Sequence, residues 1–185
     1  KYPNSIEICE LDLLVENSCS ILSDFLGDQP IDIFINNAGV IGGSSQNFKT
    51  VLSNTWLEVL KVNLISPLMI TQSIIKNIEK SSDKKIYFLS SKVGSIEDNR
   101  GGGMYIYRSS KTALNQVVKS LSIDLKPLGI TVISLHPGWV RTDMGGPNAL
   151  ISVDESVNGM MNVISNTNIK NSGKFLNYDG NQIPW

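Results

Sequence analysis

Lys85-Ile86-Tyr87-Phe88-Leu89-Ser90-Ser91 and, after a glycine-rich interval, Tyr107-Arg108-Ser109-Ser110-Lys111 form the stretch on which the reading of this chain turns. The first segment is a short apolar run of the kind buried inside a parallel sheet, and it delivers two serines at its carboxyl end. The second opens a helix that continues to about Lys126, with Leu114, Val117, Val118, Leu121 and Leu125 repeating at helical spacing. Tyr107 and Lys111 are four apart and so share a helix face, one turn from each other. An ammonium held beside a phenol favours the phenolate, which predicts that Lys111 lowers the pKa of Tyr107 from its ordinary ~10. Such a tyrosine can act as general acid or base, and Ser91 can donate a hydrogen bond to an oxygen on which charge develops. Tyrosine and lysine at this spacing also occur on helices with no chemistry, so the pair is weighed with what surrounds it.

Working outward, Ile31-Asp32-Ile33-Phe34-Ile35 reads as another buried strand and ends in Asn36-Asn37-Ala38-Gly39. Small residues there let backbone approach a ligand closely, and in open α/β sheets ligands lie beyond the carboxyl ends of the strands. Gly42-Gly43-Ser44-Ser45 continues as loop. Residues 54–79 read as one long helix containing Asn63 and Pro67. A proline has no N–H, so Pro67 leaves the carbonyl four positions back, that of Asn63, without its usual donor. Towards the amino end, Ile6–Leu11 alternates enough to be a strand, Asp12 stands at its end, and residues 14–27 read as a helix stopped by Gly27. Towards the carboxyl end, Ile130–Leu135 is a further buried strand leading into His136-Pro137-Gly138-Trp139-Val140-Arg141-Thr142. A helix near 153–166 and a strand near Lys174–Asn177 close the chain.

Taken in order and spacing, Asn36-Asn37-Ala38-Gly39, Asn63, Ser91, Tyr107-Arg108-Ser109-Ser110-Lys111 and Pro137-Gly138 resemble the short-chain dehydrogenase/reductase family from about Asp12 onward. Gly102-Gly103-Met104-Tyr105-Ile106-Tyr107 and the terminal Asn177-Tyr178-Asp179-Gly180 to Ile183-Pro184-Trp185 resemble its branch of C-factor and Sniffer-type carbonyl reductases. The resemblance implies a Rossmann-like, doubly wound parallel α/β sheet. It also implies an NAD- or NADP-dependent oxidoreductase that moves hydride between nicotinamide and a carbonyl or secondary alcohol.

By the same resemblance Tyr107 exchanges the proton, Lys111 binds the nicotinamide ribose, Ser91 orients the substrate, and Asn63 holds a relay water on its backbone carbonyl. Ser91 is preferred over Ser90 because Gly94 follows it at the family's distance. Asp12 is implied at the adenine, although an aspartate there also suits the start of a helix. Asn37, Ala38 and Gly39 are implied at the adenosine ribose, and Pro137, Gly138, Val140 and Thr142 at the nicotinamide. Residues 143–155 would be a flap over the substrate, and the helices at 54–79 and 105–126 would assemble a homodimer or homotetramer. The branch also leaves open a non-catalytic signalling or interaction module.

Composition narrows the alternatives. The 185 residues are read as a single domain, with 41% hydrophobic and 18% charged residues and a net charge of -1, an ordinary globular balance. No basic block suits nucleic acid, no run approaches the ~18 apolar residues of a membrane span, and a cytoplasmic location is the default expectation. Cys9 and Cys19 lie in no Cys/His cluster and read as free thiols, with no metal site. The single histidine, His136, lacks partners at triad spacing and reads as structural.

No Gly-x-x-x-Gly-x-Gly turn occurs in the sequence. The family carries that turn between its first strand and helix, where it anchors the dinucleotide's pyrophosphate. The expectation is therefore a partial domain lacking the first two strands and the glycine-rich turn: a fragment of a longer enzyme, or a product whose missing half has to be supplied. Its strand at 31–35 would be an exposed apolar edge, and alone it would have poor stability and little turnover, since buried strands contribute more than the ~5–15 kcal/mol by which domains are stable.

Overall fold

The computed structural model describes residues 5–185. Four strands form one parallel sheet in the order β1 (Ile33–Asn36), β2 (Lys85–Leu89), β3 (Thr131–His136) and β4 (Phe175–Asn177). Ile33 lies opposite Lys85, Lys85 opposite Thr131, and Ser134 opposite Phe175, so every carboxyl end emerges on the same side.

Alternation along the strands sorts the core into two layers, because successive side chains of a strand face opposite ways. Ile86, Phe88 and Val132 pack with Ile70, Ile74 and Ile78 of α3 (Ser66–Glu79) and Leu114 and Val118 of α4 (Tyr105–Asp124). Helix α1 (Ser18–Leu26) adds Cys19, Leu22 and Leu26 to that layer. The intervening Tyr87, Ile133 and Leu135 face the other way and meet Val163 and Ile164 of α5 (Val153–Asn166). Helices thus cover both faces, as doubly wound α/β architecture requires. Because the chain steps across the sheet in one sense throughout, the β3–α5–β4 crossover has the opposite hand to the two before it.

Three expectations are corrected. Residues 6–11 are not a strand: the ladder ends at β1, so this segment has no strand to bond, and Ile6 and Ile8 are 61% and 85% exposed. The first helix starts at Ser18 rather than near 14, because Asp12 and Val15 take part in turns, with Asp12 Oδ1 accepting from the Leu14 amide at 2.9 Å. The long helix is not uniform. It runs as α2 (Ser53–Leu60), a π-helical segment Lys61–Ile65, and then α3, with the Ser66 amide bonding the Lys61 carbonyl five positions back. Such bulges gather where the regular ladder cannot be continued, and Pro67 supplies the reason here.

β1 stands at the edge of the described sheet, with Ile33 and Ile35 39% and 42% exposed on the face that carries Tyr87, to one side of α5. Cys9 and Cys19 are free thiols. Among the described residues no helix is long and apolar enough to cross a membrane, and no His/Cys/Asp/Glu group could hold a metal.

An open apolar edge predicts association by strand pairing. Placing a charge there through Ile35→Lys should reduce concentration-dependent aggregation in light scattering while changing stability by only about 0.5 kcal/mol, as for other exposed positions; unchanged aggregation would show that the edge is not the sticky surface.

Candidate active site

Helix α4 carries Tyr107 and Lys111 against the carboxyl end of β2, and the approach is close. The turn Lys92–Gly94 lies so near the helix that a side-chain carbon on Gly94 would come within 2.8 Å of Lys111 Cβ and 2.9 Å of its backbone carbon. Three bonds lock the contact: Arg108 donates to the Val93 carbonyl at 3.1 Å, and the Thr112 hydroxyl and Asn115 amide donate to the Gly94 carbonyl at 2.9 and 3.4 Å. Asn115 is itself held by the Ser134 hydroxyl of β3 at 2.7 Å. Helix, turn and sheet are thereby fixed relative to one another.

Ser91 caps the 92–94 turn, and its side chain lies beside the Tyr107 phenol, close enough to favour its ionised form. Ser90, by contrast, is 3% exposed, and its hydroxyl is buried without a partner; of the two serines, Ser91 is the one that meets the phenol. Lys111 is 4% exposed, with Nζ 5.9 Å from the centre of the Tyr107 ring and donating to the Leu89 carbonyl at 2.8 Å.

The electrostatics correct one expectation. Burial pushes the Tyr107 phenol above its ordinary value, and the Ser91 hydrogen bond only partly opposes this. The same burial pushes Lys111 down to about 8. Lys111 therefore does not make Tyr107 acidic in this arrangement, because a low-dielectric surrounding disfavours the charged form of both groups. His136 is pushed down to about 4, chiefly by burial and then by Lys92, with Asp179 opposing. Its Nδ1 is buried and unbonded, consistent with a neutral, structural ring.

Asn63 is fully buried at the π segment. Its amide clamps the backbone of Val40, accepting from the N–H and donating to the C=O at 2.8 Å each, and donates to the Ser110 hydroxyl at 3.0 Å. The clamp holds Gly39 against Lys111: a side-chain carbon at Gly39 would lie 3.3 Å from Nζ and 3.5 Å from Asn63 Oδ1. Asn37 and Ala38 lie exposed beside it, while Asp12 is exposed in its turn.

At the end of β3, Gly138 has φ +88° and sits where any side chain would strike Ile151 and Tyr178. Val140 is half-buried and bridges Ile151. The Thr142 hydroxyl accepts from the Gly145 amide at 3.1 Å, and the loop expected to run as a flap over 143–155 ends earlier, where α5 begins at Val153. Trp139, Met144 and Tyr105 are 50%, 50% and 41% exposed, which removes them from the core.

Sequence reasoning missed three residues. Ser110 and Asn115 flank Lys111 on α4 and were legible in principle from helical spacing. Gln46, which accepts from the Tyr107 amide at 2.9 Å, lies 61 positions away and gave no local signal.

Residues 4–150 match the family model of the short chain dehydrogenases. The chain belongs to the short-chain dehydrogenase family. Within it, the chain is 40% identical to a Myxococcus xanthus protein named C-signal, over 84% of this chain and 93% of that protein. Among solved structures it is similar to the carbonyl reductase Sniffer of D. melanogaster, with 37% identity and a TM-score of 0.92 over 97% of this chain and 78% of that one. An NADPH-bound carbonyl reductase from chicken fatty liver gives 34% identity and a TM-score of 0.89, over all of this chain and 79% of that one. These short-chain dehydrogenases place the chain in the branch of C-factor and Sniffer-type carbonyl reductases.

The Lys111 shift carries a stability consequence. A lysine with its folded pKa depressed to about 8 destabilises the fold below that pH, where its charge stays buried, and the penalty is relieved as pH rises towards ~10.4, the unfolded value. Lys111→Met should therefore melt higher than the parent protein at pH 7, by up to about 3 kcal/mol. The difference should shrink above pH 8, as read by thermal denaturation; a gap that does not depend on pH would contradict the buried-charge account.

Proposed function

We propose that the protein is a nicotinamide-dependent oxidoreductase acting on a carbonyl or secondary alcohol, with Asn63, Ser91, Tyr107 and Lys111 as its reacting machinery. The observation that carries this reading is the buried Lys111 amine 5.9 Å from the centre of the Tyr107 ring, with the Ser91 side chain beside the same phenol, all at the carboxyl edge of the sheet.

The chain's own residues suit a dinucleotide. Lys111 presents three N–H donors and spends one on the Leu89 carbonyl, so its remaining donors match the hydroxyls of a ribose. Gly39 keeps the flank of that amine clear of side-chain atoms. Asp12, Asn37, Ala38 and Gly39 would border the adenosine, and Pro137, Gly138, Val140 and Thr142 the nicotinamide. When bound, the nicotinamide supplies or takes up the electron pair that the protein's residues lack. Three solved relatives hold NADPH or NADP, which makes NADP the first dinucleotide to test.

The residues then divide the work. Ser91 Oγ orients the substrate oxygen, and Tyr107 Oη gives it a proton or removes one. Because burial raises the pKa of the phenol, Tyr107 is protonated near neutral pH, the form that can donate to a carbonyl oxygen during reduction. Lys111, still a cation below pH 8, offsets the phenolate left behind. Asn63 spends its side chain on Val40 and Ser110, so any relay role falls to its backbone carbonyl.

A second reading, a non-catalytic signalling or interaction module, is favoured by the match to C-signal across nearly all of that protein and by the open β1 edge. Titrating NADP and NAD into the 185-residue chain separates the two: saturable binding supports the oxidoreductase, and none at millimolar dinucleotide supports the module.

For the oxidoreductase, Tyr107→Phe should cut turnover by about 100-fold to 10,000-fold, the span of acid–base catalysis, with dinucleotide affinity nearly unchanged. Turnover retained in that variant would remove Tyr107 from the chemistry.

A further inference from the structure

Helix α4 begins without a cap of its own. The residue before it, Met104, is left-handed at φ 49° and ψ 39°, and no side chain there bonds the first turn. The first amides of any helix have no acceptor within the helix, and an uncapped first turn frays. Tyr107 sits in that turn, so the candidate proton-exchanging residue occupies the least secured part of its helix.

Gln46 makes up the deficit. Its Oε1 accepts from the Tyr107 amide at 2.9 Å, and its backbone carbonyl accepts from the Tyr105 amide at 3.2 Å. Nε2 donates to the carbonyls of Ile41 and Gly43 at 2.6 and 2.9 Å, which fixes which end of the side-chain amide faces the helix. The residue is 5% exposed. The loop holding it is gripped elsewhere too: Asn63 clamps Val40, and Gly42 passes so close to the helices that a side-chain carbon would lie 2.7 Å from Val59 and 3.1 Å from Ile106.

We propose that Gln46 is a positioning residue for Tyr107, supplying from a remote loop the cap that Met104 does not give and so holding the phenol in register with Ser91 and Lys111. The inference rests on the reading of Tyr107 given under the proposed function. Gln46 touches no reacting atom; it acts through the backbone of the residue that does.

Two variants test it in the full chain. Gln46→Met keeps length and approximate volume but removes both the acceptor and the donors, whereas Gln46→Glu keeps an acceptor for the Tyr107 amide. With NADPH as hydride donor and an aromatic aldehyde as acceptor, Gln46→Met should lower kcat by about tenfold to a hundredfold, the cost of a small misplacement. KM for NADPH should stay within about twofold, the midpoint of the kcat–pH profile should move, and hydrogen exchange at the Tyr107 amide should accelerate. Gln46→Glu should retain protection at that amide and recover part of kcat. The proposal is overturned by an unaltered kcat and pH midpoint in Gln46→Met, or by a Tyr107 amide that stays protected in it. If Tyr107→Phe proves as active as the parent protein, the functional reading fails instead, and the exchange arm, which needs no turnover, still decides what Gln46 holds.

Discussion

A lysine ammonium buried to 4% exposure at the edge of a parallel sheet is the constraint around which the rest of this structure is arranged. Burying a charge is expensive unless partners are supplied, and the fold supplies a strand-end carbonyl from Leu89, a ring face from Tyr107 and a glycine in place of any competing side chain at position 39. Those partners come from β2, α4 and the turn after β1. To satisfy one amine the chain has to bring two successive crossover units into register, and the serine hydroxyl arrives as part of the same assembly.

The buried environment also decides what the site can do. Desolvation moves the phenol and the amine in opposite numerical directions for the same reason, since it favours the neutral form of each. A tyrosine so placed gives up its proton reluctantly until charge is delivered nearby, and a ligand that orders or polarises the amine would change both groups together. The hydrogen bonds behind them, from Asn115 to Ser134 and from Asn63 to Ser110, are buried, where each lost partner is felt, and Asn63 also holds the backbone of Val40.

Most of this was legible before any coordinates. Strand runs such as Ile86–Leu89 and Ile130–Leu135 announced themselves because a sheet covered on both faces demands uninterrupted apolar sequence, and helix α5 matched its expected bounds of 153–166. The alternation at Ile6–Leu11 misled because periodicity reports a preference, while a strand exists only against a neighbour. The direction of the Tyr107 shift escaped for a similar reason. Spacing puts the amine one turn away, but how dry that turn is depends on helices packed from elsewhere in the chain. Gln46 was invisible because its partners are set by loop closure across 61 positions, which leaves no trace in local pattern. Pro67, conversely, foretold an irregularity in its helix, and the π segment at Lys61–Ile65 is the form it takes.

The sheet's register has a consequence for how the chain reaches this state. Ile33 pairs with Lys85 and Lys85 with Thr131, so each of the first two ladders joins residues about fifty positions apart, and none is a hairpin. Closing such loops costs entropy before any strand pairing repays it, which makes acquisition of the native sheet slow. During synthesis β1 emerges long before β2 is available to cover its inner side. Until then its apolar side chains are open to contact with other unfinished chains, the circumstance in which association competes with folding.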